Sequence, residues 1–157
     1  LWDINPALRL HPICETYDAA NRERFFPEGC RYDYIADAID LVSCKLDLAE
    51  TARRLKIPLM MALGTGNKLD PSQLRLADIS ETYGCPLARV MRKELRNRGI
   101  CRQPVVFSPE QPAPTTQREA PPPGRRSVPA SNPWVPAVAG LLIGSKVVCD
   151  LIANKGV

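Results

Sequence analysis

Apolar residues recur along the first hundred positions in two different periods, and the way these alternate predicts an α/β protein. Short apolar runs at 34–39, 57–63, 74–79 and 104–107 are typical of buried strands. Between them, apolar positions three and four residues apart predict helices over 41–56 and 86–97. Strands that alternate with helices at this spacing favour a parallel sheet, so the pattern indicates half of a doubly wound fold.

The pattern also predicts two elements near the start of the chain and the orientation of the helix over 41–56. Residues 9–17 mix apolar and polar side chains in strand fashion, and 19–26 predict a short helix. In the helix over 41–56, Leu48, Ala52 and Leu55 share an apolar face, and Lys45 is expected to point away from it with the other charged residues.

Most of the sixteen prolines lie beyond residue 103, and this uneven distribution divides the chain into regions of different composition. We predict an α/β domain over 1–108, a proline-rich linker over 109–133 and a C-terminal apolar helix over 134–157. Lys146 and Asp150 interrupt the apolar run of that helix before it reaches the length of a membrane span. We therefore expect the helix to pack on the domain, without stable insertion into a membrane.

Composition narrows the class of protein only modestly. The net charge of +4 permits an anionic partner without requiring one. The six cysteines are scattered without CxxC spacing, and His11 has no ligand cluster around it, which disfavours a structural zinc site and favours a cytoplasmic protein. No charged leader with an apolar core is visible at the start of the sequence, so we expect no signal peptide, and the start at Leu1 leads us to expect a truncated chain.

Two acidic residues, Asp37 and Asp40, lie where a buried strand meets a helix. Ligands of open α/β sheets bind beyond the carboxyl ends of the strands, so an acid at this place can meet a magnesium–phosphate group. The alternative is that Asp40 only caps the helix that follows it, because aspartate is a favoured N-cap residue. The residues alone leave both interpretations open for Asp40. For Asp37 they favour the purely structural interpretation.

The loop over 64–71 joins two predicted strands, and its two glycines allow close approach of the backbone to a ligand. The chain contains no GxGxxG or Walker sequence, so this loop is not by itself a phosphate-binding turn.

The helix over 86–97 carries a basic face that could follow a phosphate backbone or simply be solvated. Cys85 precedes this helix, where a thiolate would be stabilised, although a bystander cysteine is the simpler reading. The basic residues three and four positions apart are Arg89, Arg92, Lys93 and Arg96.

Taken in order, these segments resemble the tRNA threonylcarbamoyladenosine dehydratases, members of the ubiquitin-activating-enzyme-like adenylating superfamily. The run from Gly64 to Ile100 is the most specific part of the resemblance, and Trp134 begins a stretch similar to the family's closing helix. The resemblance implies that the chain is the C-terminal part of a doubly wound, Rossmann-like domain. The family's glycine-rich phosphate turn would precede Leu1, so we expect this chain alone to be incomplete and inactive.

The resemblance also implies a reaction and its requirements. Members of the family use ATP and Mg²⁺ to activate the threonyl carboxylate of threonylcarbamoyladenosine in tRNA as an acyl-adenylate, which then cyclises. Asp40 matches the aspartate that holds Mg–ATP, with Lys45 and Asp37 as further ATP-binding candidates, and Lys68 and Asp70 match a loop near the substrate. Arg89, Arg92, Lys93 and Arg96 become candidates for tRNA binding. Because the cyclisation is intramolecular, Cys85 is not needed as a nucleophile.

Partners and rival functions follow from the same comparison. The resemblance implies a homodimer, and a sulfur-transfer or cysteine desulfurase system is a further candidate partner. One alternative function is adenylation of the C-terminus of a sulfur-carrier protein, although such enzymes commonly carry two CxxC pairs that this sequence lacks. Another alternative is a non-catalytic fragment that binds tRNA or protein.

Overall fold

The computed structural model describes residues 1–116, 120, 121 and 129–154, which fall into two compact units. The first unit, Leu1–Arg31, contains one short helix, α1 (Arg22–Phe25). Tyr17 is buried in this unit and packs edge-on against Phe25, with ring centroids 5.2 Å apart. The helix predicted over 19–26 is confirmed in shorter form. The strand predicted over 9–17 is wrong, because that backbone pairs with no neighbouring strand.

The second unit, Tyr32–Val157, holds a four-stranded sheet built from the predicted apolar runs. Its strands are β1 (Ile35–Asp37), β2 (Leu59–Ala62), β3 (Arg75–Asp78) and β4 (Pro104–Phe107), in the spatial order β1-β2-β4-β3. The first three strands in that order are parallel, whereas β3 pairs antiparallel with β4 at the edge of the sheet. The predicted α/β class is confirmed, with one antiparallel edge strand.

Three long helices accompany the sheet: α2 (Val42–Leu55), α3 (Pro86–Asn97) and α4 (Trp134–Asn154). Proline suits the first position of α3, since its missing N–H would lack an intrahelical partner there. Helix α2 ends where Lys56 adopts a left-handed conformation. Two short 3₁₀ helices flank β3, and the side chain of Asp70 caps the first while that of Asp78 caps the second.

Helix α4 packs one face on the sheet. Val135, Ala139 and Ile143, spaced four residues apart, are buried with Met60 of β2 and Val106 of β4. Burial of valine, isoleucine and methionine side chains stabilises the fold by about 1.5–3 kcal/mol each. By length and composition α4 would also suffice to cross a membrane, and only 17% of its most apolar window is buried.

Candidate functional site

A cavity of about 540 Å³ opens at the carboxyl ends of β1 and β2, which is where ligands of parallel sheets bind. The chain reaches it from several places, among them the connection after β1, the loop after β2, the start of α3 and the segment before α4. The residues that line it include Ala38, Ile39, Asp40, Lys45, Gly64, Thr65, Asn67, Lys68, Cys85, Leu87, Pro129, Ala130 and Ser131.

The floor beside β1 contains a buried ion pair. Lys45 Nζ donates to Asp37 Oδ2 at 2.8 Å, and the two side chains are 1% and 0% exposed. Asp37 Oδ1 also accepts from the backbone N–H of Ile39 at 2.8 Å, which fixes the turn towards α2. The expectation that Lys45 points away from the apolar face is wrong, because burial of the Asp37 carboxylate requires a compensating charge inside the protein.

Asp40 lies at the mouth of the cavity, exposed to solvent. Helix α2 begins at Val42 with Leu41 as its N-cap residue, so Asp40 does not occupy the cap position that the sequence allowed for it. Asp37 and Asp40 therefore differ in environment. The carboxylate of Asp37 is buried against Lys45, whereas Asp40 is exposed and lines the cavity.

The loop after β2 forms the opposite side of the cavity and is held by distant parts of the chain. Lys68 is 2% exposed, and its Nζ donates to the backbone carbonyl of Glu110. The Glu110 carboxylate in turn accepts from the backbone N–H groups of Leu69 and Asp70, at 3.0 and 3.2 Å. The loop is thus built into the fold at this point.

Asp70 and Lys68, both candidates for substrate contact, have structural partners. Hydrogen bonds from the Ser72 hydroxyl and the Gln73 amide hold the pKa of Asp70 below its ordinary value. Asp70 lies outside the cavity lining, whereas Lys68 lies within it. The structure thus brings Asp40, Lys45 and Lys68 around one cavity and leaves Asp70 beside it.

Cys85 is buried at the start of α3, and its Sγ accepts from the backbone N–H of Ala88 at 3.5 Å. Its sulfur lies against Gly64, which has a φ of +57°, so that a β-carbon at Gly64 would collide with it. This close approach is a packing reason for a glycine at the end of β2.

The basic face of α3 lies away from this cavity and lines a second one with Ser80, Asn97 and Cys101. Arg89, Lys93 and Arg96 are exposed. Arg92 is not equivalent to them, because its guanidinium donates to the carbonyl and the hydroxyl of Thr82 at 2.6 and 2.7 Å. Of the four tRNA-binding candidates, three are presented to solvent and one ties α3 to the turn before it.

Sequence reasoning missed Asn67 and Asn132, which connect the loop after β2 to the start of α4. Asn132 Nδ2 donates to the Lys68 carbonyl at 2.6 Å while its Oδ1 accepts from Val135 N at 2.9 Å. The available signals were an asparagine two residues before the helix over 134–157 and an asparagine directly after glycine, where a left-handed φ is tolerated.

Comparison with known proteins identifies the relatives of this fold. No family model matches the chain. The tRNA threonylcarbamoyladenosine dehydratase of Bacillus subtilis is 36% identical over 161 aligned residues, which cover 97% of this chain and 63% of that protein. The second such dehydratase of Saccharomyces cerevisiae is 39% identical over 71% of this chain.

Solved structures agree with these relatives. The Escherichia coli tRNA threonylcarbamoyladenosine dehydratase in complex with ATP superimposes with a TM-score of 0.79 at 28% identity, over 98% of this chain and 61% of that one. Its complex with AMP gives a TM-score of 0.80. This chain is a homologue of the tRNA threonylcarbamoyladenosine dehydratases. It spans about three fifths of the length of the Bacillus and Escherichia relatives.

The homology confirms the resemblance seen in the sequence and the α/β class derived from it. Within the described ranges 1–116, 120–121 and 129–154, no three histidine, cysteine or acidic residues cluster as a metal site would require.

Proposed function

We propose that the protein to which this chain belongs uses ATP to cyclise threonylcarbamoyladenosine in tRNA, and that the cavity beside Asp40 is part of its nucleotide site. The observation that carries the proposal is the place of that cavity, at the carboxyl ends of two parallel strands, in a chain homologous to dehydratases solved with ATP and with AMP.

The chemistry requires two steps. The threonyl carboxylate attacks the α-phosphorus of ATP, and pyrophosphate leaves. A nitrogen or oxygen within the same modified nucleoside then attacks the acyl carbon, so that AMP leaves and a ring closes. A carboxylate is a poor electrophile, and adenylation supplies the leaving group. The second step is intramolecular, so correct positioning can provide much of its acceleration without an enzyme nucleophile.

The residues around the cavity suit a nucleotide that carries Mg²⁺. The exposed carboxylate of Asp40 can supply an oxygen ligand, and phosphate oxygens and water would complete the octahedron. Magnesium would neutralise phosphate charge there. Lys45 also lines the cavity, but its ammonium is already paired with Asp37. We propose that Lys45 acts mainly by holding the turn that presents Asp40.

The reacting adenosine belongs to tRNA, and the exposed cations of α3 suit its phosphate backbone. Arg89, Lys93 and Arg96 form a solvent-facing group that we propose contacts tRNA, with affinity that falls as salt rises. Replacement of all three by glutamine is expected to lower both the affinity and its dependence on salt. The matched control is Arg92→Gln, which should change the stability of the turn at Thr82 more than the slope with salt.

The decisive experiment measures tRNA nucleosides by mass spectrometry in cells that lack the gene. Such cells are expected to accumulate uncyclised threonylcarbamoyladenosine, and the wild-type gene should restore the cyclic form. An Asp40→Ala gene should not restore it, whereas Glu50→Ala, which changes an exposed acid on α2, should. Normal levels of the cyclic nucleoside in the deletion strain would rule out the proposed function.

A further inference from the structure

One side of the cavity is formed by residues 129–131, more than sixty positions after the loop that they contact. Three hydrogen bonds of Asn67 hold two separate chain segments beside that loop. Its N–H donates to the Ala130 carbonyl at 2.8 Å, and its Oδ1 accepts from the Ala130 N–H at 2.7 Å. Its carbonyl accepts from the Ala113 N–H at 2.7 Å.

The backbone at this point is adapted to the arrangement. Asn67 has a φ of +57°, a conformation that asparagine and glycine tolerate better than other residues. Beside it, a β-carbon on Gly66 would lie 2.7 Å from Pro129 Cβ, so Pro129 packs directly on the glycine. Asn67 and Gly66 together bring residues 129–131 against the cavity. The paired hydrogen bonds between Asn67 and Ala130 resemble those of a β-bridge, in which the Asn67 side-chain oxygen takes the place of a backbone carbonyl.

We infer that Asn67 is a positioning residue for the ligand of this cavity: its side chain holds Pro129–Ser131 as a wall against which the nucleotide binds. The inference rests on the proposed function for the identity of the ligand. The new element is that the affinity for the ligand depends on the Asn67 side chain indirectly. The amide oxygen of Asn67 accepts a hydrogen bond from Ala130, and the side chain affects the ligand through the segment that this bond holds.

Two substitutions distinguish the contribution of the Asn67 side chain from that of its backbone. Asn67→Gly accepts the positive φ and retains both backbone hydrogen bonds, but it removes the acceptor of the Ala130 N–H. Asn67→Asp retains an oxygen at that position and should restore the bond. Site-resolved hydrogen exchange on the whole protein to which this chain belongs supplies the structural readout. The Ala130 amide should exchange at least about tenfold faster in Asn67→Gly and return to the wild-type rate in Asn67→Asp.

The Ala113 amide is an internal control, because it bonds to the backbone carbonyl of Asn67 and should keep its protection in both variants. The functional readout is equilibrium binding of AMP to the whole protein to which this chain belongs, measured by calorimetry. Asn67→Gly should weaken binding about tenfold, and Asn67→Asp should bind within about threefold of wild type.

The outcomes separate this inference from the proposed function. A wild-type whole protein that fails to bind AMP would overturn the nucleotide assignment of the cavity and, with it, the ligand part of the inference. Wild-type binding that Asn67→Gly leaves unchanged would overturn the inference alone, as would an unaltered Ala130 amide. Equal acceleration at Ala113 and Ala130 would show general unfolding of the loop and would also contradict a specific role for the side chain.

Discussion

The two sides of the cavity are constructed in different ways. The local wall, residues 37–45, is fixed by contacts within nine positions, chiefly the buried pair of Asp37 and Lys45. The assembled wall, residues 64–70 with 110–113 and 129–134, is fixed by hydrogen bonds between segments that lie forty or more residues apart. One side thus depends on a single strong interaction between charges, and the other on several moderate ones that the whole fold must bring together.

This difference predicts how each side responds to change. Removal of one partner from a buried ion pair leaves an uncompensated charge, so the local wall should fail abruptly. Loss of one hydrogen bond costs less, and neighbouring bonds can retain the segment, so the assembled wall should weaken in steps.

The largest effect is expected when the pair in the local wall is broken. Asp37→Asn leaves the ammonium of Lys45 buried without its counter-charge, and we expect a loss of about 3–5 kcal/mol in the free energy of unfolding. Urea denaturation of the wild-type and Asp37→Asn proteins measures this loss. The control is the double variant Asp37→Leu with Lys45→Met, which removes both charges and should lose less than Asp37→Asn. A loss below about 1 kcal/mol for Asp37→Asn would show that water reaches the lysine.

A smaller loss of stability is expected from a substitution at Gly64, where the assembled wall contacts the start of α3. Gly64→Ala brings a β-carbon against Cys85 Sγ and requires alanine to adopt a φ of +57°. We expect a loss of about 2–3 kcal/mol in unfolding free energy, of which about 1–2 belongs to the backbone conformation. In a Cys85→Ala background the collision disappears, so only the backbone part should remain. Equal losses in both backgrounds would contradict the packing explanation.

A single hydrogen bond of the assembled wall should matter less again. Lys68→Met keeps the aliphatic stem in place but removes the donor to the Glu110 carbonyl. We expect a loss of about 1–2 kcal/mol, measured by the same denaturation. Lys93→Met on the exposed face of α3 is the matched control, and it should change stability by less than about 0.5 kcal/mol. A similar change in both variants would indicate that the Lys68 bond adds no stability.

The same contrast explains which features could be predicted from the sequence. Strands and helices follow local periodicity, and all four strands of the sheet and α2, α3 and α4 lie where the pattern places them. The helical pattern places Lys45 on the wrong face because it treats every lysine as solvated, whereas the charge of Asp37 draws this side chain inward. Asn67, Glu110 and Asn132 could not be recognised, since their partners are set by the tertiary fold and not by neighbours in the chain.

The smallest expected effect is a dependence on pH at the edge of the assembled wall. Hydrogen bonds from the Ser72 hydroxyl and the Gln73 amide lower the pKa of Asp70 from its ordinary 3.8. A carboxyl with a lowered pKa in the folded protein stabilises the fold above its ordinary pKa, and this contribution is lost as the pH falls through the folded value. Asp70→Asn should therefore be less stable than wild type near neutral pH, and the difference should shrink below about pH 4. Urea midpoints from about pH 7 down to about pH 2.5 test this, and a difference that stayed constant over that range would show that the charge of Asp70 contributes nothing to the cap.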